Sequence, residues 1–599
     1  MSTSRLTPLH PIWLLGPLGA LYLAVLVRLF LLSLFPAAER IDSAVGLAQA
    51  ESQVEAPRAS ILDRHGVPLA VSQPVWRLVV DALPRYRRYT RKETSFTAEE
   101  TAQEMAPVAA VAGVPLPDLV AALRHPTQSR SVIAEGLSPE TVSRLRPLLR
   151  SVPGTGLRLE NFWQRVYPQA ENLSHVVGFA NHLDAKGPRP EIQGVAGLER
   201  KFDAELRGTP GSKKALRVTA AFGVNPAVSF AEPVPAADRS TTLDAALSAR
   251  LRAELEQLMA EHRTDWAGGL VLDPRSGEIL ALAGLPDYDP NHPGATADEQ
   301  GRIVGAASPM GWVVSPGSTM KPLVVARALA SGAISETERF DQNGGTWFAR
   351  GGNQPPIRNA RGVPTHALDW RETIVHSSNI AAGKIGLELG RDRLRGLLED
   401  LHLGARVAGL PLNQDRGILP QEVHWSERQT RWTVPSVSIG HQLAVTPFRL
   451  AAAHAALING GLLFEPHLTA AEALPPTRVF PERVARMVQD AMVGMVQLDS
   501  RDWLNDVPFT WGGKSGTVQH EVKKDVYTSL FVGFAPAEDP RYLVVVAAHD
   551  PKGEEYYGSR VAGPVVRDVL HWALGRDGEV EPPALDPPVD PAIVPVQGR

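Results

Sequence analysis

The sequence predicts an α+β protein in which one antiparallel sheet is covered by helices. That domain follows an elongated mixed module (a pedestal) and an N-terminal transmembrane helix. Three observations carry this reading. Paired apolar runs around short turns lie at both ends of the C-terminal half, with helical patterns between them. The preceding stretch mixes short β-like runs with turn signals. The first forty residues contain one long, almost wholly apolar run.

That run is Ile12 to Phe35. As a helix of 24 residues it reaches about 36 Å, enough for a hydrocarbon core of about 30 Å. Pro36-Ala37-Ala38 imitates a cleavage site, but a secretory apolar segment is only about 7–15 residues long, so an uncleaved anchor is expected. Arg5 precedes the run, whereas Glu39, Arg40 and Asp42 follow it. A short basic N-terminus stays inside and sends the rest outside. Arg28 is the single charge within the run. It has two readings: snorkelling to an interface or contact with a partner helix.

Ile41 to Ala56 is polar and rich in Ala and Glu, which suggests a linker or short helix. From Arg58 to about Ala237 the signals mix. Trp76 to Val80 has strand character. Thr97 to His125 reads as short helices, with Pro115-Leu116-Pro117 as the breaker. A second domain begins near Ser240. Leu243 to Glu261 has helical spacing. Ala267–Asp273 and Glu278–Ala283 flank Pro274-Arg-Ser-Gly277 as a hairpin, and Ser529–Phe534 with Tyr542–Ala548 form another. Pro322–Gly332 and Phe448–Leu457 are helical between them. The tail from Glu579 is Pro-rich and is expected to be extended or disordered. The expected divisions are 1–11, a cytoplasmic N-terminus; 12–36, the anchor; 37–237, the pedestal; 238–575, the catalytic domain; and 576–599, the tail.

Composition narrows the chemistry. The 599 residues are 44% apolar and 21% charged, with a net charge of −4. Nothing there favours nucleic acid as a partner. The absence of Cys excludes disulfides and thiolate metal sites. No metal and no cofactor is expected.

Three motifs fall in order within the second domain. In Ser318-Thr319-Met320-Lys321, residues three apart share a helical face, so Ser318 and Lys321 can meet. A serine hydroxyl needs a neighbouring base, and a buried lysine can supply a neutral amine. Alone, the spacing is weak and equally describes a capped helix with a surface lysine. In Ser377-Ser378-Asn379, Ser377 is placed to relay a proton and Asn379 to orient a substrate amide; a plain helix cap fits the same residues. In Lys514-Ser515-Gly516-Thr517, an edge strand puts Ser515 and Thr517 on one face to bind a carboxylate. Lys514 then lies on the other side, near Ser377, and Gly516 admits the substrate backbone. The N–H groups of Thr517 and Ser318 are candidates for an oxyanion hole. A polar turn is the bland alternative. The order of all three together is what gives them weight.

This trio resembles the active site of penicillin-binding proteins and serine β-lactamases. Arg58 to Gly66 looks like the motif that opens class B penicillin-binding proteins, and Arg165–Pro168 and Gly194–Glu199 look like their pedestal motifs. Ser438-Ile-Gly440 with Val445-Thr-Pro447, Tyr527–Pro536, and Asp550-Pro551 through Gly558 extend the likeness over roughly residues 12 to 575. No glycosyltransferase domain is read upstream, unlike in the class A type. The resemblance implies a penicillin-binding transpeptidase domain acting as a D,D-transpeptidase. Ser318 would attack a D-Ala-D-Ala bond of a peptidoglycan stem peptide, with Lys321 as base, Ser377 as relay and Asn379 as positioner. Lys514, Ser515, Gly516 and Thr517 would bind the substrate end. It further implies covalent capture by β-lactams and a single pass through the bacterial inner membrane, with the catalytic domain outside. Ser-Ser-Asn at 377–379, Arg165–Pro168 and Phe531–Pro536 look division-like, which implies septal work beside a SEDS-family glycosyltransferase and divisome membrane proteins. Alternatives are an elongation-type enzyme, a D,D-carboxypeptidase, a β-lactam sensor or β-lactamase, and a non-enzymatic scaffold. Two departures stand out: Ser515 where the family often has Thr, and the unusual segment Ala306 to Val314.

Overall fold

The computed structural model describes residues 12–34, 49–81, 98–124, 130–151, 157–183, 191–216, 228–296, 307–349, 355–498, 502–520 and 525–583. By its internal contacts the chain divides into two units, Met1–Pro57 with Arg207–Ala236, and Arg58–Leu206 with Ala237–Arg599.

In the first unit the N-terminal apolar run is helical over Ile12–Leu34. Gly19–Phe30 within it is an exposed apolar helix, and among the described residues no single helix is long and apolar enough to cross a membrane. The stretch expected to be linker or helix holds a strand instead. Gln49–Val54 pairs antiparallel with Gly211–Leu216, which also pairs with Val228–Ala231. The reason is long-range: a partner strand over 150 residues away completes the backbone hydrogen bonds and overrides local helix propensity. Gly211 is required there, since a Cβ would lie 2.3 Å from the Ala231 carbonyl oxygen. Residues 41–48 and the tail from 584 lie outside the described residues.

In the second unit the predicted Trp76–Val80 strand is part of a longer one, Pro68–Asp81. It pairs antiparallel with Arg130–Leu137 and Leu157–Val166. Helices Ala98–Glu104, Ala106–Ala112 and Leu116–Arg124 pack beside it through buried Met105, Ala109, Leu119 and Leu123. The break expected at Pro115–Pro117 lies slightly earlier. Gly113, at φ 71°, caps one helix, and Pro117 falls inside the first turn of the next. A first-turn proline lacks only an N–H that would be unpaired anyway.

The opening motif and the two pedestal motifs converge on one buried carboxylate. Glu199, fully buried, receives Arg58 Nε at 2.7 Å and Arg165 Nε at 2.6 Å. Arg58 also reaches the Glu199 carbonyl at 2.8 Å and Asp203 Oδ1 at 2.8 Å. Tyr167 then ties this cluster to the catalytic domain: its N–H donates to Asn291 Oδ1 at 2.9 Å, and Asn291 Nδ2 returns to its carbonyl at 3.0 Å.

The catalytic domain is built on a five-stranded sheet. Its strands are β1 (Trp266–Leu272), β2 (Ile279–Leu285), β3 (Gly512–Gln519), β4 (Tyr527–Ala535) and β5 (Tyr542–His549). Their spatial order is β2-β1-β5-β4-β3, and every pair is antiparallel. Both predicted hairpins are present, and β3 is an edge. Helices α1 (Ala245–His262) and α5 (Gly563–Arg576) cover the sheet through Leu251, Leu255, Val566 and Leu570, packed on Val544 and Val546. Helices α2 (Met320–Ala330), α3 (Asn379–Leu389) and α4 (Pro447–Ile458) form the layer that carries the first two motifs, and α4 is buried along its whole length. Asp244 caps α1 by accepting from the N–H groups of Ala246 and Leu247, both at 3.0 Å.

Replacing Glu199 by Ala leaves the buried Arg165 guanidinium without a carboxylate and Arg58 with Asp203 alone, a loss expected to cost about 3–5 kcal/mol. Urea unfolding of the variant should show it; a change under about 0.5 kcal/mol, the size of an ordinary surface substitution, would contradict the role given to this cluster.

Candidate active site

The chain enters the first motif through a tight turn. Gly317 has φ 52°, and a Cβ there would sit 2.7 Å from Val518 Cγ2 of β3. Glycine is therefore demanded by both conformation and space. Gly317–Thr319 makes one 3-10 turn that runs into α2. The Pro316 carbonyl accepts from the N–H and hydroxyl of Thr319 at 3.2 and 2.7 Å, which pins the turn. Ser318 is partly exposed between buried Gly317 and Thr319. Gly440 closes on the same turn, where its carbonyl accepts the Gly317 N–H at 3.2 Å. A Cβ at Gly440 would stand 2.0 Å from the Gly317 oxygen.

One turn on from Ser318, Lys321 is the second residue of α2 and is fully buried. Its Nζ donates to the Ser377 carbonyl at 2.6 Å, the Ser377 hydroxyl at 3.1 Å and Asn379 Oδ1 at 2.7 Å. Burial lowers the pKa of its amine to about 7, because the low-dielectric surroundings disfavour the charge. The first two motifs thus meet at one nitrogen.

Ser377 reaches it through an uncommon backbone. Its φ is +57°, a region that costs a non-glycine residue about 1–3 kcal/mol. That conformation brings its carbonyl and its hydroxyl to the same amine. Ser378 then caps α3, accepting from the Ala381 N–H at 3.1 Å. Asn379 differs from the reading of it as a substrate positioner alone. Its Oδ1 is turned to Lys321, and its Nδ2 donates to the Arg358 carbonyl at 2.7 Å. One amide hydrogen remains for a ligand.

The third motif lies on β3 with the expected alternation. Lys514 and Gly516 are buried, whereas Ser515 and Thr517 are partly exposed. A Cβ at Gly516 would lie 2.8 Å from the Pro316 oxygen, and one at Gly317 would lie 3.7 Å from Thr517 N. The strand therefore runs directly against the turn that carries Ser318. Thr517 Oγ1 accepts from the Gly558 N–H at 2.9 Å, which fixes its hydroxyl and leaves its hydrogen to donate. Lys514 Nζ donates to the Ser515 carbonyl at 3.0 Å. Its charge also lies near His454, whose imidazole is driven down to about 4, chiefly by burial. His454 stays neutral and its Nδ1 donates to the Leu450 carbonyl at 2.9 Å. Of the unusual segment before Ser318, residues 307–314 are described. Val314 pairs with Val445, and a Cβ at Gly311 would stand 2.0 Å from the Asn413 oxygen.

Four residues of this site went unseen in the sequence: Gln342, Arg358, Asn359 and His454. None sits in a motif. Asn359 belongs to a polar turn, Arg358-Asn-Ala-Arg-Gly362, that carries only a loop signal. His454 looks like an ordinary position on an apolar helix.

Both domains have counterparts among known proteins. A family model for the penicillin binding protein transpeptidase domain covers residues 267–571, and one for the penicillin-binding protein dimerisation domain covers residues 53–222. The "Probable peptidoglycan D,D-transpeptidase PenA" of Neisseria meningitidis is 29% identical over 87% of this chain and 84% of its own. The "Peptidoglycan D,D-transpeptidase FtsI" of Escherichia coli is 28% identical over 89% of this chain and 86% of its own. The "Stage V sporulation protein D" of Bacillus subtilis is 27% identical over 88% and 79%. The fold superimposes on Penicillin Binding Protein 2X from Streptococcus thermophilus with a TM-score of 0.70 at 19% identity, covering 89% of this chain and 82% of that one. With both domains matched, the chain belongs to the penicillin-binding protein transpeptidase family, as a class B member.

Proposed function

We propose that this chain cross-links peptidoglycan stem peptides at the bacterial division septum, as a D,D-transpeptidase. The observation that carries the reaction is the buried Lys321 amine, lowered to about 7 and bonded to Ser377 one helical turn from Ser318. A neutral amine there takes the Ser318 proton as Oγ attacks the penultimate D-alanine carbonyl. The Ser318 and Thr517 N–H groups hold the tetrahedral oxyanion. Ser377 passes the proton to the departing D-alanine amine. The amine of a second stem peptide then attacks the acyl-enzyme, gives up a proton along the same route and releases Ser318. Ser515 and Thr517 hydroxyls, with the Lys514 charge behind them, receive the terminal carboxylate of the donor. β-Lactams enter by the same attack and remain bound as esters. The domain boundaries read from the sequence, 37–237 and 238–575, are those we assign to pedestal and catalytic parts.

The septal assignment is supported by similarity to FtsI and by Ser-Ser-Asn at 377–379. We place the Ile12–Phe35 run across the inner membrane, the bulk of the chain outside, and Arg28 toward a SEDS-family glycosyltransferase and other divisome membrane proteins.

Fluorescent penicillin tests the chemistry. The label should map to Ser318, vanish in Ser318→Ala, and fall by at least about a hundredfold in Lys321→Arg, whose guanidinium keeps the charge but does not deprotonate. Normal labelling of a folded Lys321→Arg protein would remove Lys321 as base.

Depletion in the host tests the location. Filaments without septa are expected, and rounded cells that still divide would assign the enzyme to elongation. Protease added to spheroplasts should digest both domains; full protection would reverse the topology.

A further inference from the structure

The second motif does not hold its shape by itself. The first N–H groups of a helix have no partner within it, and at α3 they are met from outside. Asn359 Oδ1 accepts from the N–H groups of Asn379 at 2.9 Å and Ile380 at 3.1 Å, and lies 3.2 Å from the Ser378 hydroxyl. Asn359 Nδ2 donates to Gln342 Oε1 at 3.0 Å. Gln342 is fully buried; the same oxygen accepts the Ser378 hydroxyl at 2.6 Å, and its Nε2 donates to the Phe340 carbonyl at 2.6 Å. The neighbouring Arg358 carbonyl fixes the side-chain amide of Asn379. Asn359 follows a small ribbon in which Thr346 pairs with Arg358 and Trp347 with Ile357. Its own N–H donates to the Gly345 carbonyl at 3.2 Å. The side-chain amides of this bridge are thus spent on residues 378–380 or on holding the bridge in place.

We infer that Asn359, braced by Gln342, is the positioning residue that keeps Ser377 and Asn379 on the Lys321 amine without adding a negative charge beside it. This rests on the catalytic reading above and extends it to residues outside the three motifs. Two properties of the side chain matter separately. Its oxygen fixes the backbone from which the Ser377 carbonyl and the Asn379 side chain reach Nζ. Its neutrality leaves the amine free to lose its proton near neutral pH. An aspartate would accept the same N–H groups, and a helix N-terminus would favour it. It would also place a carboxylate against Asn379, the residue whose side chain meets the Lys321 amine, and stabilise the charged form.

Two variants separate these properties, read as the second-order rate of acylation by fluorescent penicillin from pH 5 to pH 9.5. Asn359→Leu, similar in size but without an acceptor, should be slower at every pH, on the order of a hundredfold, as expected when a reacting group is misplaced by about 1 Å. Asn359→Asp should recover to within about threefold of wild type at high pH, with its acidic limb moved up by about one pH unit. A merely structural role would not move that limb. If Asn359→Leu does not fold, Asn359→Ser, too short to span both N–H groups, must show the same slowing. A wild-type rate in Asn359→Leu or Asn359→Ser overturns the inference, as does an unshifted limb in Asn359→Asp. Failure of the wild-type protein to label at Ser318 would instead overturn the catalytic reading itself.

Discussion

The amine of Lys321 is the point on which the rest of the site depends. It is withdrawn fully from solvent, yet three oxygens from two residues converge on it. Burial disfavours the ammonium, and the three acceptors favour it. Burial brings its pKa down to about 7, where an amine can both take and return a proton. Nearby features of the site answer to that position. Ser377 accepts a left-handed backbone to present two oxygens at once. Gly317 and Gly516 let the turn that carries Ser318 and the edge strand approach until a single Cβ would collide.

The molecule solves the same electrostatic problem in two ways. At Glu199 the buried charge is kept and paired, with guanidinium groups on both carboxylate oxygens. Such a cluster locks three distant segments into one geometry, and its cost appears only when a partner is removed. At Lys321 no carboxylate among the described residues is a partner of the amine. The charge is instead made easy to lose. A structural joint calls for the first arrangement, and an acid–base group calls for the second. Tyr167 and Asn291 connect the joint to the catalytic domain, so the pedestal motifs fix the platform on which the sheet stands.

Much of this was legible in the sequence, for identifiable reasons. The two hairpins announce themselves because their apolar runs are local and their turns are short. The alternation of Lys514, Ser515, Gly516 and Thr517 follows from strand geometry alone. The placing of Lys321 one turn after Ser318 follows from helix geometry. What stayed hidden is long-range or directional. Gln49–Val54 becomes a strand only because Gly211–Leu216 meets it. Asn359 and Gln342 act on Asn379 and Ser378 across 20 and 36 positions, and their residue types are those of any polar loop. The motif names Asn379 but not where its two amide atoms point, and the third motif names Thr517 without its bond to Gly558.

The claim that a half-neutral lysine drives the chemistry is open to one direct measurement, the pH dependence of acylation of the wild-type protein by a β-lactam that carries no titrating group between pH 5 and pH 9. A base whose pKa is about 7 must be unprotonated to act. The rate should therefore be half-maximal near that pH, fall about tenfold per unit below it and level off above. A rate that stays flat from pH 5 to pH 9 would contradict the account.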